Sequence, residues 1–168
     1  MTNNFREFTA NDSEAVLRLN AESVAVLSPM DEARFQLLRS MACLHLVAED
    51  PSGVVGFLMA FADGVPYDSV NYQWFASRFK RFVYIDRVVV SGALRGAGIG
   101  SDFYGLAEAY AAKSNIAWLV CEVDVEPPNP GSLAFHKKKG FVEVSRQVVA
   151  HGKAVSLQVR SVDPQNLL

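Results

Sequence analysis

Residues 82–115 constrain the fold of this chain more than any other stretch. Residues 82–90 are an apolar, β-branched run suited to a strand. Arg95-Gly-Ala-Gly-Ile-Gly100 follows, and residues 98–115 then place Ile99, Phe103, Leu106 and Tyr110 along one helical stripe. Strand, glycine-rich turn and helix in this order imply an α/β crossover. The alternating glycines let the chain turn tightly and bring backbone N–H groups close to a ligand, at a helix start whose dipole favours negative charge. The turn is therefore a candidate phosphate cradle, or a device that only lets helix and strand pack closely. Two nucleotide motifs do not match: Ser101-Asp102 stands where a triphosphate loop needs Lys-Ser/Thr, and the spacing misses G-x-G-x-x-G.

The flanking sequence fills in the elements. Thr9-Ala-Asn-Asp12 reads as a capping box, with the Thr hydroxyl accepting an orphan amide at the start of a helix that runs to Leu19. Ser28-Pro-Met-Asp31 opens a second helix with Pro29 at its first position, followed by Phe35, Leu38 and Met41 at helical spacing. Apolar runs on either side of Asp50-Pro-Ser-Gly53 predict an antiparallel hairpin. Residues 62–81 mix loop formers (Gly64, Pro66, Asp68) with Tyr72, Trp74 and Phe75, and read as an ordered insertion. A strand over 118–123, a helix over 129–139 and a strand pair around His151-Gly152 complete the chain.

Composition sets outer bounds. A length of 168 residues favours one domain over 1–168, with a dispensable tail after about 162. Half the residues are hydrophobic and 20% are charged, enough for a packed interior. A formal net charge of −2 provides no global field for nucleic acid or an anionic membrane. Cys43 and Cys121 lack the spacing of a zinc site or a disulfide scaffold, so no metal is expected and both thiols read as buried and reduced. The first eight residues do not resemble a signal peptide, and the apolar run over 54–62 falls short of the roughly 20 residues that span a bilayer. The expectation is a soluble cytoplasmic protein.

In its strand–loop–helix setting, Val88-Val-Val-Ser-Gly-Ala-Leu-Arg-Gly-Ala-Gly-Ile-Gly100 resembles the coenzyme A signature of the GNAT N-acetyltransferase superfamily, commonly Arg/Gln-x-x-Gly-x-Gly/Ala. Asn129-Pro-Gly-Ser-Leu-Ala-Phe-His-Lys-Lys-Lys-Gly-Phe141 resembles the later family motif, an Asn opening a helix that ends in aromatic-x-x-x-Gly-Phe. Counting the order of elements, the resemblance covers residues 5–160. It implies an α/β fold with a mixed, mostly antiparallel sheet splayed at its central strands and flanked by helices. It also implies acetyl transfer from acetyl-CoA to a primary amine of a small molecule or of a peptide or protein terminus, and is compatible with a homodimer. A non-catalytic acyl-CoA sensor is the alternative.

Residue roles follow from the resemblance. The pyrophosphate of coenzyme A would rest on the amides of Arg95, Gly96, Ala97, Gly98, Ile99, Gly100 and Ser101. The main chain of Val88, Val89 and Val90 would meet the pantetheine arm, which inserts where this strand parts from 118–123. Asn129 matches a pantetheine-binding position and is also an ideal N-cap ahead of Pro130. Many family members place a Tyr acid where this chain has His136; imidazole, with a reference pKa of about 6.5 against about 8.5 for a thiol, could donate to the leaving sulfur if protonated. His136 packed on Phe135 without a role is the alternative. The usual glutamate base aligns with Tyr84, while Asp86 on the same strand and Glu122 on the next are the nearby carboxylates; Asp86 paired with an arginine for structure is the other reading. The acceptor site would draw on Asn20, Glu22, Tyr72, Trp74 and Glu122.

Overall fold

The apolar runs around residues 50–53 fold as the expected hairpin, β2 (Leu44–Asp50) against β3 (Gly53–Ala62), in a computed structural model that describes residues 3–25 and 27–163. The other strands are β1 (Asn4–Glu7), β4 (Phe82–Val90), β5 (Trp118–Glu126), β6 (Val142–Val148) and β7 (Ala154–Ser161). They form a seven-stranded sheet in the order β1-β2-β3-β4-β5-β7-β6. The helices are α1 (Ser13–Ala21), α2 (Glu32–Met41), α3 (Val70–Ala76), α4 (Ile99–Lys113) and α5 (Pro130–Lys138). The sheet is mostly antiparallel; β4 and β5 pair in parallel over Phe82↔Trp118, Val83↔Leu119 and Tyr84↔Val120. The tail after Asp163 lies outside the described residues.

The chain divides into two compact units, residues 1–61 with 85–109, and 62–84 with 110–168. In the first, Phe5 meets Phe103 of α4 edge-on at 5.2 Å, and burial of such a side chain contributes about 1.5–3 kcal/mol. The buried stripe of α4 runs through Ile99, Phe103, Ala107 and Ala111. Leu106, assigned to that stripe from sequence, is 37% exposed; four-residue steps carry the stripe onto alanines instead. Thr9 and Asp12 form the expected capping box, the Asp12 carboxylate accepting from Thr9 N at 2.8 Å and from the Thr9 hydroxyl at 3.0 Å. Arg6 pairs with the same carboxylate at 2.8 Å and holds its pKa down to about 2. α2 starts later than read from sequence, with Asp31 as N-cap accepting from Arg34 N at 2.7 Å, so Pro29 precedes the helix.

In the second unit the insertion is ordered around α3. Tyr72 is 2% exposed; its hydroxyl donates to Ala62 O at 2.8 Å and accepts from Val65 N at 3.1 Å. Asn71 of α3 accepts from Gln147 Nε2 of β6 at 2.8 Å. These bonds use up polar groups that an apolar insertion would otherwise bury at a cost. Cys121 is buried and Cys43 half-buried, and among the described residues no cluster of His, Cys, Asp and Glu could hold a metal ion. No helix among them is long and apolar enough to cross a membrane.

Candidate active site

The glycine loop lies in the first unit, between β4 and α4. A 3-10 turn over Gly92–Leu94 leads into it, and Gly96 and Gly98 adopt φ of +86° and +90°, where side chains are strained. A Cβ built on Gly96, Gly98 or Gly100 meets nothing within 4 Å, so the space above the loop is open. Asp102 N donates to Gly98 O at 3.0 Å, which leaves the preceding amides of the first turn of α4 beyond the reach of intrahelical acceptors. An anion resting there would meet N–H groups and the positive end of a fifteen-residue helix.

Beside the loop, the backbone of β4 is held at close range. A Cβ on Gly56 of β3 would lie 2.8 Å from Val89 O, so glycine at that position is what permits the approach. Ser91 N donates to Val55 O at 2.8 Å. One residue before Val88, Arg87 is 4% exposed: Nε donates to Asp86 Oδ2 at 2.9 Å, and one terminal nitrogen donates to Asn20 Oδ1 at 2.7 Å and to Ser28 O at 2.8 Å. Asp86 is thus bound in a buried ion pair, its side chain 7% exposed, and the reading of it as proton acceptor gives way to the structural one. Asn20, expected at the acceptor, is 1% exposed and spends its oxygen on Arg87 and its Nδ2 on Ser28 O at 3.3 Å. Sequence reasoning missed Arg87, although a charge inside an apolar strand was a signal. Glu22 forms an exposed pair with Arg18 at 3.4 Å, a contact worth little.

The second unit carries the remaining candidates. Tyr84, 0% exposed, donates its hydroxyl to Glu122 Oε2 at 2.5 Å, the short geometry of a hydrogen bond to a carboxylate. Glu122 is two residues past Val120, the last β5 residue in the β4 register, and is half-buried. The rings of Tyr67, Tyr72 and Phe75 lie 5.6–6.2 Å from that of Tyr84. Tyr72 is therefore a core residue, and Trp74 packs on Phe75 with Arg78 4.3 Å over its ring. Asn129 is the N-cap of α5, its side-chain oxygen accepting from Ser132 N at 3.2 Å. His136 is 6% exposed between Phe135 and Phe141, and its Nδ1 donates to Ser132 O at 2.7 Å. Burial lowers its pKa, with the Ser132 carbonyl offsetting part of the effect. The imidazolium that a proton donor requires is disfavoured here.

A family model for the acetyltransferase (GNAT) family matches residues 13–141. The chain belongs to the GNAT acetyltransferase family. Its structural relatives agree with this GNAT fold. Ard1 from Thermoplasma volcanium matches with a TM-score of 0.78 at 20% identity, over 96% of this chain and 98% of that one. The ribosomal-protein-S18-alanine N-acetyltransferase from Escherichia coli gives 0.70 at 14% identity, over 99% of both chains. The yncA structure from Salmonella typhimurium, solved with its cofactor acetyl-CoA, gives 0.74 at 18% identity, over 100% of this chain and 98% of that one. No curated protein matches at the level of sequence.

GNAT enzymes take acetyl-CoA as co-substrate. This GNAT chain fits that molecule on its own geometry. The open Cβ positions over Gly96, Gly98 and Gly100 leave room for a pyrophosphate against the loop amides.

Proposed function

We propose that the protein is an N-acetyltransferase, moving the acetyl group of acetyl-CoA onto a primary amine of a small molecule or of a peptide terminus. The observation that carries this reading is the open, positive-φ glycine loop at the start of α4. In this reading the amides of Gly96 and of Gly98 to Ser101 bind the pyrophosphate, those of Arg95 and Ala97 being donated within the turn to Gly92 O and Leu94 O at 3.5 and 3.2 Å; the main chain of Val88 to Val90 pairs with the pantetheine arm, and Asn129 contributes from the start of α5. Acetyl-CoA supplies an activated acyl group on a good leaving thiol. The chain's task is to place the amine and remove its proton.

For that proton we assign Glu122. Among the carboxylates weighed, Asp86 is neutralised by Arg87, whereas Glu122 is half-buried and oriented by the hydroxyl of Tyr84. In this reading Tyr84 orients the carboxylate that takes the amine's proton. His136 is not assigned the acid's role, because burial disfavours its charged form.

Calorimetry with acetyl-CoA, followed by thiol release over a panel of amino acids, polyamines, aminoglycosides and short peptides, tests the proposal. Binding with amine-dependent thiol release is expected. Binding without release for any amine would turn the reading towards an acyl-CoA sensor, and no binding would end it.

A further inference from the structure

Three tyrosines, Tyr67, Tyr72 and Tyr84, are buried together within the second unit. A buried hydroxyl costs free energy unless it is hydrogen-bonded, so the partners it takes are informative. The Tyr84 hydroxyl donates to Glu122 Oε2 at 2.5 Å. The Tyr72 hydroxyl instead bonds two backbone groups, donating to Ala62 O at 2.8 Å and accepting from Val65 N at 3.1 Å. It thereby ties α3 to the stretch over 62–67, which Tyr67 N closes by donating to Val65 O at 2.9 Å.

The groups so tied enclose the ring of Tyr84. Tyr72 meets it at 5.6 Å and 89°, Tyr67 at 6.2 Å and 66°, and Phe75 at 6.0 Å and 55°. Tyr67 and Tyr72 also rest on each other, with centroids 5.6 Å apart. Tyr84 lies opposite Val120 in the parallel register, and Glu122 follows Val120 by two residues, so phenol and carboxylate share the face of the sheet that α3 covers. Packing alone does not account for the hydroxyl of Tyr72, since Phe75 and Phe82 fill the same core as phenylalanines. What the hydroxyl adds is a fixed turn and, through it, the seat of Tyr67. A short hydrogen bond weakens steeply when its donor is misaligned, so a Tyr84 ring free to shift would release the carboxylate it holds.

We propose that Tyr72 is a positioning residue for the proton acceptor, an inference that rests on the assignment of Glu122 above. Its hydroxyl locks the turn after β3 so that Tyr67 and Tyr72 hold the Tyr84 phenol on the Glu122 carboxylate.

Tyr72→Phe, Tyr84→Phe and the double variant, followed by thiol release with the amine of the panel above that reacts fastest, test this at a temperature where circular dichroism shows each to be folded. Tyr72→Phe should lower kcat on the order of tenfold, with the Kd for acetyl-CoA unchanged by calorimetry. In the Tyr84→Phe background the same substitution should lower kcat by less than about twofold, because the contact it serves is already gone. Equal losses in the two backgrounds, or an unchanged kcat in Tyr72→Phe, overturn the inference and leave the assignment of Glu122 standing. Should Tyr72→Phe not fold, Tyr67→Leu, which removes the ring that the turn holds against Tyr84, takes its place with the same expected and contrary results. A wild-type kcat in Tyr84→Phe would end this inference together with the role given to Tyr84, and the absence of thiol release with every amine would end the acetyltransferase reading itself.

Discussion

His45 stacks on Phe8 with ring centroids 4.1 Å apart and planes 6° from parallel, while Phe35 meets it edge-on at 5.9 Å. Neither ring nitrogen has a hydrogen-bond partner among the described residues. Burial first, then the charge of Arg39, push its pKa down to about 4, against a smaller opposing pull from Asp12. Between pH 6.5 and 4 the unfolded chain therefore binds a proton here that the folded chain refuses, so stability is complete above that window and falls with acidification through it, by up to roughly 3 kcal/mol. His136, lowered in the same direction, adds to the fall, whereas Asp12, at about 2, stays ionised across the window. His45→Phe should leave a much shallower decline of Tm between pH 6.5 and 4.5; an unchanged slope would refute this account. At the candidate site, Glu122→Gln should lower kcat by about 10²–10⁴ with little change in acetyl-CoA affinity by calorimetry. Equal losses in binding and turnover would make Glu122 structural.

Among the elements, β4 and the turn after it illustrate what a sequence can and cannot disclose. The strand, the loop and α4 were legible because β-branched residues, alternating glycines and a helical apolar period act locally. Gly56 was not, since its reason for being glycine is Val89 O, thirty-three positions on and 2.8 Å from where a Cβ would lie. The two glycines should respond differently to substitution. Gly98→Val, facing open space at φ +90°, should abolish acetyl-CoA binding while far-ultraviolet circular dichroism stays near wild type. Gly56→Val should lower Tm through overpacking of about 1–3 kcal/mol as well as weaken binding. If Gly98→Val bound normally, the loop would not be the cradle. The Arg87 network was hidden for the same reason as Gly56: Asn20 and Ser28 are 67 and 59 positions away, and no local pattern joins them. α2 was misplaced by three residues because Pro29 and Asp31 are both good helix starters and only the bond to Arg34 N decides between them.

For the molecule as a whole, the coarse picture was present in the sequence: a mixed sheet, its flanking helices and one glycine-rich loop between β4 and α4. The catalytic detail was not, because it depends on which polar side chains find partners. Asp86 found Arg87 and Glu122 found Tyr84, which is why the proposed role of base falls to Glu122. Acetyl-CoA at about a hundred times its Kd should stabilise the folded chain by about 2.7 kcal/mol, raising Tm by roughly 5–11 °C for a chain of this size. A thermal-shift series with free coenzyme A and acetyl-CoA measures this, and a flat response to both would contradict specific binding. The loop over residues 95–100 has one further consequence. A receptor for phosphate built from peptide dipoles displaces few condensed or bound counterions, so its affinity should decline only gently with ionic strength, unlike that of a lysine-lined groove. The enzyme should then keep its grip on coenzyme A in concentrated salt, where capture by net charge would fail.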